Sequence, residues 1–195
     1  MAKPNIISKQ ELITYAKNCL VVNGIEKFTL RAVAEMAGVT QGTVYYHFRT
    51  KEQLLLEIVK DTCDRTWNEL SQSNENVIRL AVESAKSRCS HDSFFHKLFL
   101  LLVVSGFTNE KIKEQLGDII MKENRTLSDN LSKLWPASPV KGVSLETWGI
   151  LLNAIVDGLA LQALLSKDFS VEKTYAELEQ LFIGLNNLAN QGDSK

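Results

Sequence analysis

Residues 29–51 contain two short helical segments separated by a glycine, and no other part of the chain limits the possible folds as strongly. Thr29 can cap the first helix, and Thr40 can cap the second. Gly38 ends the first helix, because glycine enters the left-handed conformation without a steric penalty. Two short helices joined by such a tight turn form a helix-turn-helix. The segment therefore predicts a small helical head at the N-terminus.

The second helix of this motif carries side chains that suit a DNA surface. Val44 and Phe48 are four residues apart and are predicted to face inward. The outer surface then presents groups that can hydrogen-bond base edges or phosphate oxygens. These candidate DNA-binding residues are Gln41, Gly42, Thr43, Tyr45, Tyr46 and His47. A tyrosine pair on an amphipathic helix is also often half-buried packing, so Tyr45 keeps a structural alternative.

The residues of the motif have separable predicted roles. Gln41 can pair with an adenine edge, and the Thr43 methyl group can contact a thymine methyl. Gly42 lets the backbone approach a phosphate closely. Arg31 and Lys51 flank the helix and are predicted to contact phosphates, Lys51 at the start of a following helix.

This segment resembles the N-terminal signature of the TetR-type (TetR/AcrR) transcriptional regulators. The residues that carry the resemblance are Phe28, Thr29, Ala34, Ala37–Val39, Gly42–Phe48, Lys51, Glu52 and Leu54. It covers roughly the first 60 residues by motif and the remainder only by length and helical character. The resemblance implies phosphate contacts at Thr29, Arg31, Tyr45, Tyr46, His47 and Lys51. Many members carry a basic or small residue at the position of Gln41, so the resemblance does not give the preferred operator.

Helical patterns occupy the rest of the chain. A capping box at Ser8–Glu11 starts a helix that ends at Asn23–Gly24. Turn signals after residue 51 predict further helices at about 51–71, 74–89, 92–105, 109–135, 144–166 and 170–190. The predicted fold is all-α, with a three-helix head followed by a C-terminal bundle of about six helices. We assign DNA binding to residues 1–51, and effector binding and dimerisation to residues 52–195.

The last two long helices are unusually apolar. Only a few polar residues interrupt the apolar segment Gly149–Leu165, and the final helix is also rich in apolar residues. Two such helices per subunit are predicted to form a four-helix dimer interface, which the resemblance also implies. The predicted interface residues are Leu152, Ile155, Leu159, Gln162, Tyr175, Leu178, Leu181, Phe182 and Leu185. An intramolecular core is the alternative interpretation.

Aromatic residues of the central helices could line an apolar ligand pocket. The candidate effector-binding residues are Trp67, Phe95, Phe99, Phe107, Met121, Trp148 and Asn153. Aromatic residues at helical spacing are also commonly core residues, so the pocket is implied mainly by the resemblance. No cofactor is expected, although a small-molecule effector is.

Charge and composition limit the class of protein. Residues 1–51 contain seven basic and three acidic residues, whereas the whole chain has a net charge of −1. A basic head suits DNA, although an ordinary solvated surface would look similar. Cys19, Cys63 and Cys89 lack the spacing of a zinc site or a disulfide framework. The longest unbroken apolar run, Leu98–Val104, is far shorter than the roughly 20 residues of a membrane helix. A cytoplasmic, bacterial protein is predicted, associated with the nucleoid when bound to DNA.

Together these features predict a DNA-binding transcriptional regulator. The first hypothesis is a repressor that leaves a palindromic operator when a small-molecule effector binds. The alternative is an effector-independent protein that organises the chromosome or times division, which a body without a cavity would favour. An enzyme is not expected, because no glycine-rich phosphate loop, nucleophile motif or metal cluster is evident.

Overall fold

The computed structural model describes residues 7–72, 77–89 and 93–191, and every regular element in these ranges is an α-helix. The helices are α1 (Lys9–Asn23), α2 (Leu30–Ala37), α3 (Gln41–His47), α4 (Lys51–Gln72), α5 (Val77–Ser87), α6 (Phe95–Gly106), α7 (Glu110–Leu134), α8 (Leu145–Leu165) and α9 (Val171–Gln191). The all-α fold is therefore confirmed, with six helices after the three of the head in the described part of the chain. The helix starts predicted at residues 74 and 92 lie outside the described ranges.

Side-chain caps determine where the helices of the head begin. The Ser8 hydroxyl accepts a hydrogen bond from Glu11 N (3.2 Å), and Ser8 N donates to Glu11 Oε2 (2.8 Å). Thr29 Oγ1 accepts from Ala32 N at 3.0 Å at the start of α2. Each bond satisfies an amide that the first turn of a helix leaves without an internal partner. The predicted capping box and the predicted start of α2 are both confirmed.

The chain divides into two compact units. The first contains the described residues up to Thr62 together with Lys97–Leu116. The second contains Cys63–His96 and the described residues from Gly117 onward. The chain passes from one unit to the other inside α4, near the start of α6 and again inside α7. The boundary that we predicted after residue 51 separates DNA binding from effector binding and dimerisation. The division into compact units does not test it, so it stays a prediction.

The first unit is built on a core shared by α1 to α4. Leu12, Phe28, Phe48 and Leu54 are completely buried there. Two ion pairs join α1 to α4 beside this core: Lys9 Nζ lies 2.6 Å from Glu57 Oε1, and Lys17 Nζ lies 2.6 Å from Asp61 Oδ2. The Lys17 pair is mostly shielded from solvent. These ion pairs fix α1 to the first half of α4.

The second unit has two groups of buried side chains. One joins α5, α8 and α9 around Ala160 and Tyr175, and the Tyr175 hydroxyl lies 3.2 Å from Cys89 Sγ. The other contains Trp135, whose ring meets that of Trp148 edge to face at 5.8 Å. Both groups include residues of α8 and α9. The two C-terminal helices therefore supply core to their own subunit.

α8 is more apolar than its own chain can cover. By length and composition it could cross a membrane, yet only 17% of its most apolar window is buried. Unbroken apolar runs in the sequence did not predict the length and apolar character of α8, because Asn153 and Asp157 interrupt it. A soluble core or interface helix meets the same two criteria. Much of the apolar surface of α8 is therefore exposed in the single chain.

Gly149 marks the closest approach of α8 to α7. A Cβ atom at this position would lie 2.5 Å from the carbonyl oxygen of Asn124 and 3.1 Å from Ser128 N. We predict that Gly149→Ala lowers the free energy of unfolding by about 1–3 kcal/mol, because the backbone of α7 must move. Urea unfolding followed by circular dichroism at one fixed protein concentration measures this change.

Gly117→Ala is the matched control. Gly117 also lies within a helix, and a Cβ atom there would meet nothing within 4 Å. This variant is expected to keep or raise stability, by up to about 1 kcal/mol, because alanine is the better helix former. Equal stability of the two variants would contradict the close packing of α7 and α8.

Candidate nucleic-acid interface and ligand cavity

The turn between α2 and α3 fixes the orientation of the candidate reading helix. Gly38 adopts the left-handed conformation, with φ 65° and ψ 29°. Its N–H donates to the carbonyl of Glu35, and Val39 N–H donates to that of Ala34 at 3.0 Å. These bonds close the end of α2 as predicted. Thr40 then caps α3 by accepting from Thr43 N at 3.2 Å.

α3 buries one side and exposes the other. Val44 and the following Phe48 are completely buried, as predicted. Tyr46 is 73% exposed and Tyr45 51% exposed. Gln41 and Gly42 are exposed, whereas Thr43 and His47 are half-buried. The six candidate residues of α3 therefore lie on the accessible side of the helix or at its margin.

Neighbouring groups orient the exposed aromatic side chains. The guanidinium of Arg49 lies 5.3 Å from the centre of the Tyr45 ring. The rings of Tyr46 and His47 meet edge to face at 5.3 Å. Tyr45 thus packs against a cation at the surface rather than in the core. Arg49 was missing from the predicted interface, although its position four residues after Tyr45 was an available signal.

The two flanking cations differ in their surroundings. Arg31 and Glu35 form an exposed ion pair, with Arg31 Nε 2.8 Å from Glu35 Oε1. Lys51 Nζ donates to the carbonyl of Ile25 at 3.3 Å and lies 5.8 Å from the centre of the Phe28 ring. Lys51 is therefore held in place before any DNA is bound. Thr29, which precedes α2, is exposed and caps that helix with its hydroxyl group.

The second unit contains a cavity of about 120 Å³. Two of the seven candidate effector-binding residues, Trp67 and Asn153, line it. The lining is mainly apolar and comes from α4, α5, α7, α8 and α9. It comprises Thr66, Trp67, Ile78, Ala81, Val82, Ser84, Ala85, Arg88, Glu123, Leu127, Asn130, Leu131, Leu134, Trp135, Leu152, Asn153, Val156, Leu178 and Phe182.

The other five candidates lie elsewhere. Phe99 and Phe107 belong to the first unit, and Phe107 is 80% exposed. Met121 is half exposed on α7, and Trp148 packs on Trp135 while its Nε1 donates to Ser138 Oγ at 3.1 Å. Phe95 is buried beneath the guanidinium of Arg88, 4.9 Å from the centre of its ring. The orientation of the helices in the folded chain separates these residues. Their spacing along the sequence does not predict that orientation.

Two charged residues of the cavity escaped the sequence analysis. Glu123 is buried, and burial raises the pKa of its carboxyl group. A hydrogen bond from the Cys63 thiol and the positive charge of Arg88 partly oppose that rise in pKa. Nothing in the sequence distinguishes Glu123 or Arg88 from the many surface charges around them.

A second buried polar contact lies in the same unit. His96 is almost fully buried, and its Nε2 lies 3.2 Å from Asp157 Oδ1. Cys63 is also buried, and burial raises the pKa of its thiol well above the usual range. A neutral thiol is a poor nucleophile, so Cys63 serves packing and hydrogen bonding here.

The predicted dimer residues fall into three groups. Tyr175 is 1% exposed, and Leu152 and Leu178 are also buried inside the second unit. Leu181 and Gln162 are exposed. The half-buried remainder comprises Ile155, Leu159, Phe182 and Leu185. The predicted set thus mixes residues of the subunit core with residues that a partner can reach.

These features define a class of protein. A helix-turn-helix with an accessible second helix, followed by a larger helical unit, is the arrangement of a DNA-binding regulator. Residues 12–58 match the family model described as bacterial regulatory proteins, tetR family. The matched segment runs from α1 into α4 and includes the whole motif.

Individual relatives agree with this match. The chain is 23% identical over 180 residues to the HTH-type transcriptional regulator TtgR of Pseudomonas putida, covering 83% of this chain and 82% of the relative. It is 34% identical over 56 residues to the HTH-type transcriptional repressor KstR2 of Mycolicibacterium smegmatis, covering 29% of this chain and 27% of the relative. These matches confirm the resemblance to the TetR-type regulators, and the relatives are DNA-binding transcriptional regulators of that type.

Solved structures share the fold. A transcriptional regulator from Rhodococcus sp. RHA1 superposes with a TM-score of 0.72 at 15% identity, covering 93% of this chain and 98% of the other. GusR of Salmonella enterica superposes with a TM-score of 0.66 at 18% identity, covering 94% and 100%. At these identities the likeness concerns architecture alone.

We predict that Gln41→Ala relaxes base preference without changing the salt dependence of DNA binding. Gln41 is exposed at the start of α3, where its amide can pair with a base edge but carries no charge. Discrimination at one base pair of each half-site should fall by about 1–3 kcal/mol. Competitive selection of bound sequences by the native protein and the variant measures it. An unchanged preference at every position would contradict base reading by Gln41.

Lys51→Met should have the opposite signature. It removes a charge while keeping an apolar side chain against the Phe28 ring. Binding to all sequences should weaken, and the slope of log K against log salt should flatten by about 1. Lys60→Met is the matched control, because Lys60 is exposed nine residues further along α4. Equal salt slopes for the two variants would exclude a phosphate contact by Lys51.

Proposed function

We propose that the protein is a homodimeric repressor that binds a palindromic operator and leaves it when a small molecule occupies the cavity of the second unit. The observation that carries the proposal is α3, whose accessible side presents Gln41, Thr43 and Tyr46 while Val44 anchors the helix. Several relatives support the sign of regulation, because KstR2, AcnR and a probable acrEF/envCD operon protein are each named repressors. Such a regulator acts in the bacterial cytoplasm.

The cavity supports control by a ligand. It lies entirely within the second unit and is lined mainly by apolar side chains with a few polar ones, as ligand sites commonly are. EbrR, a multidrug-binding protein of similar fold with a TM-score of 0.57, has been crystallised with proflavin. A body that contains a cavity favours this proposal over an effector-independent chromosome organiser.

The exposed side of the two C-terminal helices supports a homodimer. Leu151, Ala154, Leu161 and Leu165 are exposed along one side of α8, separated by three, seven and four residues. This spacing aligns them in a single stripe, and Gly158 in its middle permits close helix approach. On α9, the exposed residues Leu181, Gly184 and Leu188 form a second stripe with steps of three and four. Two such stripes from each subunit can cover one another in a four-helix interface.

α4 is the candidate route of coupling. It starts at Lys51, which is anchored on Ile25 and Phe28, and it supplies Trp67 to the cavity. A ligand that favours one position of Trp67 therefore acts on the helix that begins beside the reading motif. It releases the operator only to the extent that it binds the DNA-incompetent state more tightly. The two reading helices of a dimer must lie about 34 Å apart, or a multiple of that spacing, to match a palindrome.

We expect the purified full-length protein to select a near-palindromic site from genomic fragments. Footprinting of the selected fragments should show protection of two half-sites with centres about 10 base pairs, or a multiple, apart. A few sites next to genes would support the local repressor, and those genes would indicate the chemistry of the effector. Sites dispersed over the genome would favour the chromosome-organising alternative, and the absence of any selected site would overturn the proposed operator binding.

Charge placed on the exposed stripes should separate the subunits. Leu161→Glu combined with Leu181→Glu introduces unpaired charges on both α8 and α9, so the double variant is expected to sediment as a monomer. Its affinity for the operator should fall at least tenfold, because one half-site is lost. Met121→Glu is the control, since Met121 is equally exposed on α7 outside both stripes. A dimeric double variant would place the interface elsewhere.

A further inference from the structure

Two tryptophans that line the cavity have unused hydrogen-bond donors. The Nε1 atoms of Trp67 and Trp135 are buried, line the same cavity and form no well-aligned hydrogen bond. The Trp67 indole lies close enough to the Glu123 carboxyl group to lower its pKa. Trp135 is itself 2% exposed. In the described part of the chain, the other buried side-chain atoms without a partner are His96 Nδ1 and Gln115 Oε1, and neither residue lines the cavity. Buried indole N–H groups ordinarily have partners, so two donors without a well-aligned hydrogen bond at one cavity point to an absent acceptor.

Trp148 provides an internal contrast. Its ring packs against Trp135, but its Nε1 donates to Ser138 Oγ at 3.1 Å. These three residues are all the tryptophans of the chain. The two that line the cavity are therefore the two without a well-aligned hydrogen bond, and the one that does not line it is satisfied within the protein.

The charges of the cavity favour an uncharged occupant. Arg88 and Glu123 both line it, so a cation would meet Arg88 and an anion would meet Glu123. The two residues already interact with each other, and Glu123 also accepts from the Cys63 thiol. Burial raises the pKa of Glu123, because its carboxylate loses hydration there. A cation would also leave both indole N–H groups without an acceptor.

We infer that the cavity binds a neutral, largely apolar molecule whose oxygen acceptors receive the indole N–H groups of Trp67 and Trp135. The volume of about 120 Å³ limits the occupant to about one ring, since a cavity of roughly 150 Å³ accommodates benzene. The inference rests on the proposed function for its biological meaning, because it names the chemical class of the effector. Its chemistry can be tested independently of DNA.

The test uses four one-ring probes of similar size: acetophenone, ethylbenzene, benzylammonium and benzoate. Each is titrated into the full-length protein carrying ¹⁵N-labelled tryptophan, and the three indole N–H signals are followed by NMR. The variants Trp67→Phe, Trp135→Phe and Trp148→Phe assign the signals, since each removes one. Ethylbenzene controls for the ring currents of a bound aromatic molecule, because it has the ring without the acceptor.

Acetophenone is expected to bind about five- to tenfold more tightly than ethylbenzene, as one or two added hydrogen bonds imply. It should move the Trp67 or Trp135 indole proton downfield relative to ethylbenzene, while the Trp148 signal stays in place. Removing the donor that shifts should reduce acetophenone affinity to that of ethylbenzene, and Trp148→Phe should leave the affinity unchanged. If a phenylalanine variant fails to fold, the chemical shifts measured in the native protein still test the inference.

Four results would overturn the inference: equal affinity for acetophenone and ethylbenzene, tighter binding of benzylammonium or benzoate, an equal shift of the Trp148 signal, or no binding of any probe. Tighter binding of benzylammonium would identify Glu123 as the recognition group of a cation site. Operator binding is then measured with saturating acetophenone. Acetophenone that binds as expected without changing operator affinity would contradict the proposed release mechanism and leave the ligand class intact.

Discussion

The left-handed turn at Gly38 determines how the candidate interface is presented. It closes α2 and directs the chain so that Val44 enters the core shared with α1 and α4. Once Val44 is buried, helix geometry alone places Gln41 and Tyr46 on the accessible side. A different conformation at this one residue would turn other side chains outward. The chemistry of α3 therefore depends on a backbone requirement that glycine meets without strain.

α8 combines residues that pack on α7, line the cavity and stay exposed. Gly149 gives α7 its closest contact, Asn153 lines the cavity, and Leu161 belongs to the exposed stripe. These different uses of its residues explain why the sequence of α8 is almost uniformly apolar, although little of the helix is buried in a single chain. In the proposed dimer, a helix that packs on its own core, lines the cavity and meets a second copy would have little room for polar residues. Dimerisation and ligand binding are thus expected to share structural elements.

The sequence predicted the parts of the fold that local interactions determine. Ser8, Thr29 and Gly38 act on their own helix ends, so their signals can be recognised without knowing the fold, and the observed caps agree. The cavity could not be predicted in the same way, because its lining depends on which helix faces meet. Phe107 is an aromatic residue of the kind that lines pockets, but it is exposed. Tyr175 lies in the apolar pattern that predicted the dimer interface, but it is buried against Cys89.

Control of DNA binding by the cavity depends on a difference between two states rather than on affinity. A ligand with equal affinity for both states shifts nothing, and a hundredfold release requires about a hundredfold preference. Indole hydrogen bonds can supply such a preference, because they weaken steeply with angle and distance. Trp67 stands sixteen residues after Lys51 on α4, so an acceptor that fixes Trp67 in one orientation also favours one position of that helix. Trp135 follows α7 and shares no helix with the reading motif. Of the two donors, Trp67 is therefore the one whose hydrogen bond can connect ligand binding to the operator, while Trp135 contributes affinity.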